Sequence, residues 1–382
     1  KSYIKPSVTS SIKLFSLFLP LIIGFFTYHY VNSGPFLPLS CQFFGLWCPS
    51  AKDSLRGFVD PRFEDVKEIF IRNIESGDEV GASVTVYYDN EMVVDLQGGI
   101  TNFWSGKAYD ENTLQLVFSS TKVLTSIVIA RLVEQDILDY NEKIATYWPE
   151  FAQGNKENVT LSDLMQHCAG VSWLDTEIKI KDLYDLDHFA KILERQPHNF
   201  NGKRVRAYHG ITRGYYLNEI VRRVDPKHRT VGKIVADEIL PAYDIEFHYS
   251  ITPELHPRVA SIYTYPMLRI LAKLLLPKWI TNEPLPPIFN QMFDSNSVTH
   301  KTLVHTSPDK SQPQDWNRIE MLIPEGPSYN GVTNSRSMAK LAAMMANGGK
   351  PVISNLTVLT WSLLAGVVQA GTAEVWVCCP PL

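Results

Sequence analysis

No aspartate or glutamate occurs before Asp53, no arginine falls in the apolar run that precedes it, and no internal repeat or low-complexity tract is visible in the 382 residues. Cysteine is scarce as well. Cys41, Cys48, Cys168, Cys378 and Cys379 show none of the paired spacings, with histidine or further cysteine, that make a zinc site, so no metal is expected. Cys41 and Cys48 stand either as a disulfide formed in an oxidising compartment or as two unpaired thiols. Adjacency disfavours a bond between Cys378 and Cys379, and Cys168 reads as a small buried apolar residue. Neither sign of charge dominates: the formal net charge of −4 and a pI near 6.2 give no global pull toward nucleic acid or anionic lipid.

What is present is enough for an enzyme-sized body, with hydrophobic residues at 45% and charged residues at 20%. At this length one large domain with an inserted subdomain, or two domains sharing a cleft, is expected. From Leu14 to Val31 the chain is almost uncharged and long enough to span a bilayer as a helix. Lys1, Lys5 and Lys13 precede it, which favours a cytoplasmic amino terminus and a lumenal or extracellular remainder. The alternatives are a cleaved signal peptide, with Val31 and Ser33 before the cut, and then a mitochondrial presequence, which fits less well without arginine. The sequons at Asn158 and Asn355 are glycosylation candidates that fit a secretory route. Residues 1–33 are thus expected as anchor or signal, 34–54 as a proline-punctuated linker, 55–350 as the folded domain and 351–382 as a divergent tail.

Within the folded part, Phe63, Val66, Ile69, Phe70 and Ile74 recur at helical spacing up to Gly77. Gly81 to Tyr88 and Met92 to Gly99 flank Asp89-Asn90 and read as a hairpin. A helix followed by antiparallel strands implies an α+β layer. The stretch from Phe118 to Glu134 is helical and apolar on most faces, so it should be buried. Helical patterns at Leu161–His167, Leu183–Arg195 and Tyr215–Val224 suggest a separate helical lobe. The apolar helix from Met267 to Leu276 is expected to pack on that lobe, with an interfacial or acyl-binding role as the alternative. A further amphipathic helix runs from Ser335 to Asn347, stopped by Gly348-Gly349.

The chemistry centres on Ser119-Ser120-Thr121-Lys122. Residues three apart share a helix face, so the Ser119 hydroxyl and the Lys122 ammonium can converge at the helix start, where an unpaired N–H and the positive end of the macrodipole favour negative charge. A serine hydroxyl needs a base to become a nucleophile. Tyr208 is the candidate: a phenolate held between cations can accept the proton and return it to a leaving group. A cap or surface pair for Ser119 and Lys122, and a buried aromatic for Tyr208, are the alternatives that each motif alone would suggest.

Six blocks appear in one order: Gly57 to Phe63; Gly77 to Ala82; Val117 to Lys122; Leu164 to His167 with Ala169-Gly170-Val171; Tyr208-His209 with Asn218 to Val224; and Asn330-Gly331-Val332-Thr333 through Gly349. Together, over residues 55 to 350, they resemble the β-lactamase-related serine hydrolases, which include class C β-lactamases, D-alanyl-D-alanine carboxypeptidases, family VIII carboxylesterases and animal β-lactamase-domain proteins. The resemblance implies a transpeptidase-like antiparallel sheet flanked by helices, with a helical lobe beside it. It also implies an acyl-enzyme on Ser119, proton transfer through Lys122 and Tyr208, no cofactor, and a cleft bordered by Phe118 and His209. Where class C enzymes have Tyr-x-Asn this chain has Tyr208-His209-Gly210, which favours an ester substrate over a β-lactam. The family's Lys- or His-Thr-Gly strand has no counterpart after Asn355; His305-Thr306-Ser307 lies in the wrong order and reads as a loop. A missing oxyanion donor costs on the order of 10² to 10³ in rate. The expected function is therefore a serine esterase or amidase on a small ester, amide or acyl-peptide, or else a catalytically impaired truncated isoform or membrane-anchored scaffold. The expected partners are that substrate and a membrane through residues 14–31, with no nucleic acid.

Overall fold

The computed structural model describes residues 8–52, 54–282, 285–309 and 315–348, and for residues 8–17 the backbone alone. Its contacts divide the chain into two compact units, the first made of residues up to 82 with 96–109 and 263–286, the second of 83–95, 110–262 and the residues from 287 on.

The first unit begins with helix α1 (Val8–Asn32), which contains Pro20. Among the described residues no helix is long and apolar enough to cross a membrane, so the expected span over residues 14–31 has no support there. The stretch expected as a linker carries helix α2 (Leu39–Phe44) and a disulfide between Cys41 and Cys48. Leu37 rests on Gly77, whose φ of 74° and closeness to the Leu37 backbone leave no room for a Cβ. Strand β1 (Arg56–Val59) precedes a proline-led turn capped by Asp60, which accepts from the Arg62 amide. Helix α3 (Glu64–Glu75) then buries Phe70 and Ile74 against Gly98.

Strands β2 (Gly81–Tyr88) and β3 (Glu91–Gly99) form the expected hairpin, and Asp89 and Asn90 both take the positive φ that a tight two-residue turn demands. The sheet order is β1-β3-β2.

In the second unit, strand β4 (Gln115–Leu116) leads through a single 3-10 turn, Phe118–Thr121, into helix α4 (Lys122–Glu134). Leu124, Ile127, Val128 and Ile129 are fully enclosed, each adding roughly 1.5–3 kcal/mol of burial. Helix α5 (Leu161–Met165) opens with a capping box between Thr160 and Asp163. Helices α6 (Leu186–Arg195) and α7 (Thr212–Val224) pack with α4 into one apolar core that includes Trp148, Phe151 and Tyr216. Strand β5 (Phe247–His248) and strand β6 (Val332–Thr333) complete a second sheet in the order β4-β6-β5, antiparallel, with Leu116 opposite Val332 and Phe247 opposite Thr333.

Helix α8 (Met267–Leu275), expected on the helical lobe, belongs to the first unit and packs on α1. Of its apolar residues Ile270 is buried, whereas Met267, Leu268, Leu271, Leu274 and Leu275 all face outward. Residues Lys301–His305 form a wide helical turn that ends at His305, and Thr306 and Ser307 follow as a buried loop. Helix α9 (Ser335–Ala346) is capped by Asn334 and stops where expected, with Gly348 at φ 65°. Arg336 on α9 makes a two-pronged pair with the buried carboxylate of Asp95. The expected tail, the strand whose absence was expected, Asn355, Cys378 and Cys379 lie outside the described residues.

Candidate active site

Ser119 sits in the first turn ahead of α4, where backbone geometry and hydrogen bonding aim it outward. Phe118, just before it, adopts φ 42°, a left-handed conformation that a bulky residue rarely takes and that stores about 1–3 kcal/mol of strain. Strand β6 holds it there: the Val117 amide donates to Gly331 O at 2.9 Å, and the Gly331 amide donates to Thr121 Oγ1 at 2.9 Å. A Cβ at Gly331 would stand 2.3 Å from the Phe247 ring and 2.6 Å from Thr121 Oγ1, so glycine is required. The Ser120 amide bonding to Val117 O is the first bond of the turn, which leaves the Ser119 N–H without an acceptor inside the helix. A developing oxyanion at Ser119 would find that donor and the helix N-terminus together.

The three expected groups come together. Ser119 Oγ lies 2.5 Å from the Tyr208 hydroxyl and accepts from Lys122 Nζ at 3.2 Å, while the ammonium stands 5.1 Å from the centre of the Tyr208 ring. Ser119 and Tyr208 are half-buried and Lys122 is enclosed. A cation at a helix N-terminus opposes the macrodipole. Two backbone acceptors offset this, Gly210 O at 2.8 Å and Ser328 O at 2.7 Å. Sequence reading had singled out neither Gly210 nor Ser328 as a lysine partner, because a backbone carbonyl carries no side-chain signature.

Tyr208 is held from behind by two neutral histidines. The Ala207 amide donates to His167 O and the His209 amide to His167 Nδ1, each at 3.0 Å. The His209 ring bonds through Nδ1 to Ala207 O at 2.6 Å and accepts at Nε2 from the Val171 amide at 3.2 Å, a pattern that fixes the Nδ1–H tautomer. Burial is the main cause that pushes the His209 pKa from 6.5 down to about 3, with the nearby Arg213 cation adding to it against the Ala207 bond. His167 is lowered further, by burial first and then by Arg213, His209 and Lys122.

His209 is therefore not a cleft residue, in contrast to its expected place: it is fully enclosed and its ring points back into the protein. The bonds of the His209 ring to Ala207 O and to the Val171 amide hold it behind Tyr208. Phe118 is more than a third exposed, and its ring meets Trp316 edge-on at 5.6 Å. Asn158 lies on an exposed turn, with Lys143 Nζ donating to its Oδ1 at 2.9 Å. Among the described residues no group of three or more His, Cys, Asp or Glu side chains could hold a metal ion.

Comparison with known proteins agrees with this architecture. Esterase/beta-lactamase LipL of Mycobacterium tuberculosis is 28% identical over 330 residues, which cover 84% of this chain and 71% of that protein. A crystal structure of a penicillin-binding protein homologue from Caulobacter crescentus superposes with a TM-score of 0.66 at 28% identity, covering 81% of this chain and 76% of the other. A family VIII carboxylesterase structure gives the same TM-score of 0.66 and the same coverage, 81% and 76%, at 26% identity. The beta-lactamase family model matches residues 66–366, the larger part of the chain, and the protein belongs to the beta-lactamase family and has its fold.

Proposed function

We propose that the chain is a serine hydrolase that cleaves small carboxylic esters through an acyl-enzyme on Ser119. The observation that carries this reading is the position of Ser119 Oγ within hydrogen-bonding distance of both the Tyr208 hydroxyl and Lys122 Nζ. In the first half-reaction Tyr208, as phenolate beside the Lys122 ammonium, takes the Ser119 proton while Oγ bonds to the ester carbonyl carbon. The carbon–oxygen bond to the alcohol then breaks, and Tyr208 returns the proton to the leaving alkoxide. Water repeats the sequence on the acyl-enzyme and releases Ser119 with its proton restored.

The names of the similar proteins, an esterase/beta-lactamase and a carboxylesterase, support hydrolysis as the reaction class. Gly210 supports esters over β-lactams, since it offers no side-chain amide where class C enzymes use asparagine and its carbonyl is engaged by Lys122. The Cys41–Cys48 disulfide supports an oxidising, lumenal or extracellular location. Turnover of p-nitrophenyl acetate and butyrate, measured beside nitrocefin and a peptide p-nitroanilide, tests the reading. Ester hydrolysis that disappears in Ser119→Ala is the expected result, and absence of ester turnover by folded protein contradicts it.

A further inference from the structure

Residues 263–282 contain Arg269, Lys273 and Lys278 and no carboxylate, and the sequence from Leu14 to Ala51 contains no Asp, Glu, Lys or Arg. Both stretches belong to the first unit and are fastened to each other. Arg269 is buried, with Nη1 donating to Ser33 O and the guanidinium 4.7 Å from the centre of the Tyr30 ring. Asn32 donates to Ile280 O at 2.8 Å and accepts from the Asn282 amide at 2.7 Å. Arg269 of α8 thus turns inward, and the row of Met267, Leu268, Leu271, Leu274 and Leu275 left outside is apolar.

That face follows helical spacing, 267, 268, 271, 274 and 275, and Trp279 extends it beyond the helix end. Leu268 is 68%, Leu275 83% and Trp279 82% exposed, far more than scattered surface leucines need. Leu21, Ile23 and Phe25 on α1 are exposed as well. We propose that this face of the first unit seats in the interfacial zone of a lipid bilayer, with α8 lying in the surface and Lys278 meeting anionic headgroups beside Trp279.

The chemistry selects lipid among possible occupants. An apolar row with a tryptophan at its edge and, among the described residues, the exposed Lys278 beside it matches acyl chains beneath anionic headgroups. A symmetric pairing with a second copy would bring two carboxylate-free, cationic segments together. The contact does not require α1 to cross the membrane.

Photocrosslinking tests it in the full chain. Benzoylphenylalanine replaces Leu275, with Tyr88, an exposed residue of the second unit, as the control position, and the protein is irradiated on mixed phosphatidylcholine–phosphatidylserine vesicles. Lipid adducts at position 275 and not at 88 are expected. Adducts to another protein copy at 275, equal lipid adducts at both positions, or none at 275 overturn the proposal. Combining Leu268→Glu, Leu275→Glu and Trp279→Glu should lower vesicle partitioning roughly tenfold or more with the circular dichroism unchanged; unchanged partitioning together with no adduct at 275 counts against it equally.

Discussion

The hydroxyls of Ser119 and Tyr208 lie 2.5 Å apart although 89 residues separate them in the chain. Two independent devices bring them together: a strained turn clamped by Gly331 on one side, and a segment pinned by His167 and His209 on the other. Each can be perturbed separately.

In the proposed mechanism, removing the phenolic oxygen takes away the proton acceptor. Tyr208→Phe should lower kcat by about 10²–10⁴ with a much smaller change in KM, measured with p-nitrophenyl butyrate. A kcat within threefold of the parent protein would mean that another group accepts the proton.

Lys122 has a structural share that Ser119 lacks. Lys122→Ala leaves Gly210 O and Ser328 O buried without the ammonium that bonds both, at a cost of about 1–3 kcal/mol for each carbonyl. Thermal unfolding should show a clear drop in Tm for Lys122→Ala and little change for Ser119→Ala, while both lose ester hydrolysis.

Gly331→Ala places a methyl group against the Phe247 ring and Thr121 Oγ1. The clamp on Phe118 and Ser119 must shift, so a stability loss of about 1–3 kcal/mol is expected together with a fall in kcat. Urea unfolding and steady-state kinetics on the same preparation check both.

Acid should weaken the fold through the buried histidines. His209 has its pKa lowered from 6.5 to about 3, so between those values the unfolded chain binds a proton that the folded chain does not. Its contribution is fully present above pH 6.5 and is lost progressively as pH falls through that window, at about 1.4 kcal/mol per pH unit for each such histidine. His167 acts in the same direction. Unfolding free energies at pH 7.5, 6 and 5 should decline in that order, and replacing His209 by glutamine should flatten the slope.

How much of this was legible follows from which signals are local. The hairpin around Asp89-Asn90 and the helix from Glu64 to Glu75 are written in side-chain periodicity and turn chemistry, and both form as expected. Ser119 and Lys122 were legible because one helical turn fixes their relation. Tyr208 needed the ordered blocks, since nothing local ties it to residue 119. The carbonyls of Gly210 and Ser328 were hidden because every residue has one. His209 is enclosed because its ring bonds to Ala207 O and the Val171 amide, partners that carry no side-chain signature in the sequence. Helix α8 was assigned to the lobe because apolarity alone does not say whether protein or another phase covers a face.

The most direct test is covalent labelling of the nucleophile. Incubating the protein with a fluorophosphonate and mapping the adduct by mass spectrometry should give stoichiometric modification of Ser119, slowed in Tyr208→Phe and absent in Ser119→Ala. A folded protein that stays unlabelled, or that carries the adduct on another serine, would contradict the assignment of Ser119 as nucleophile.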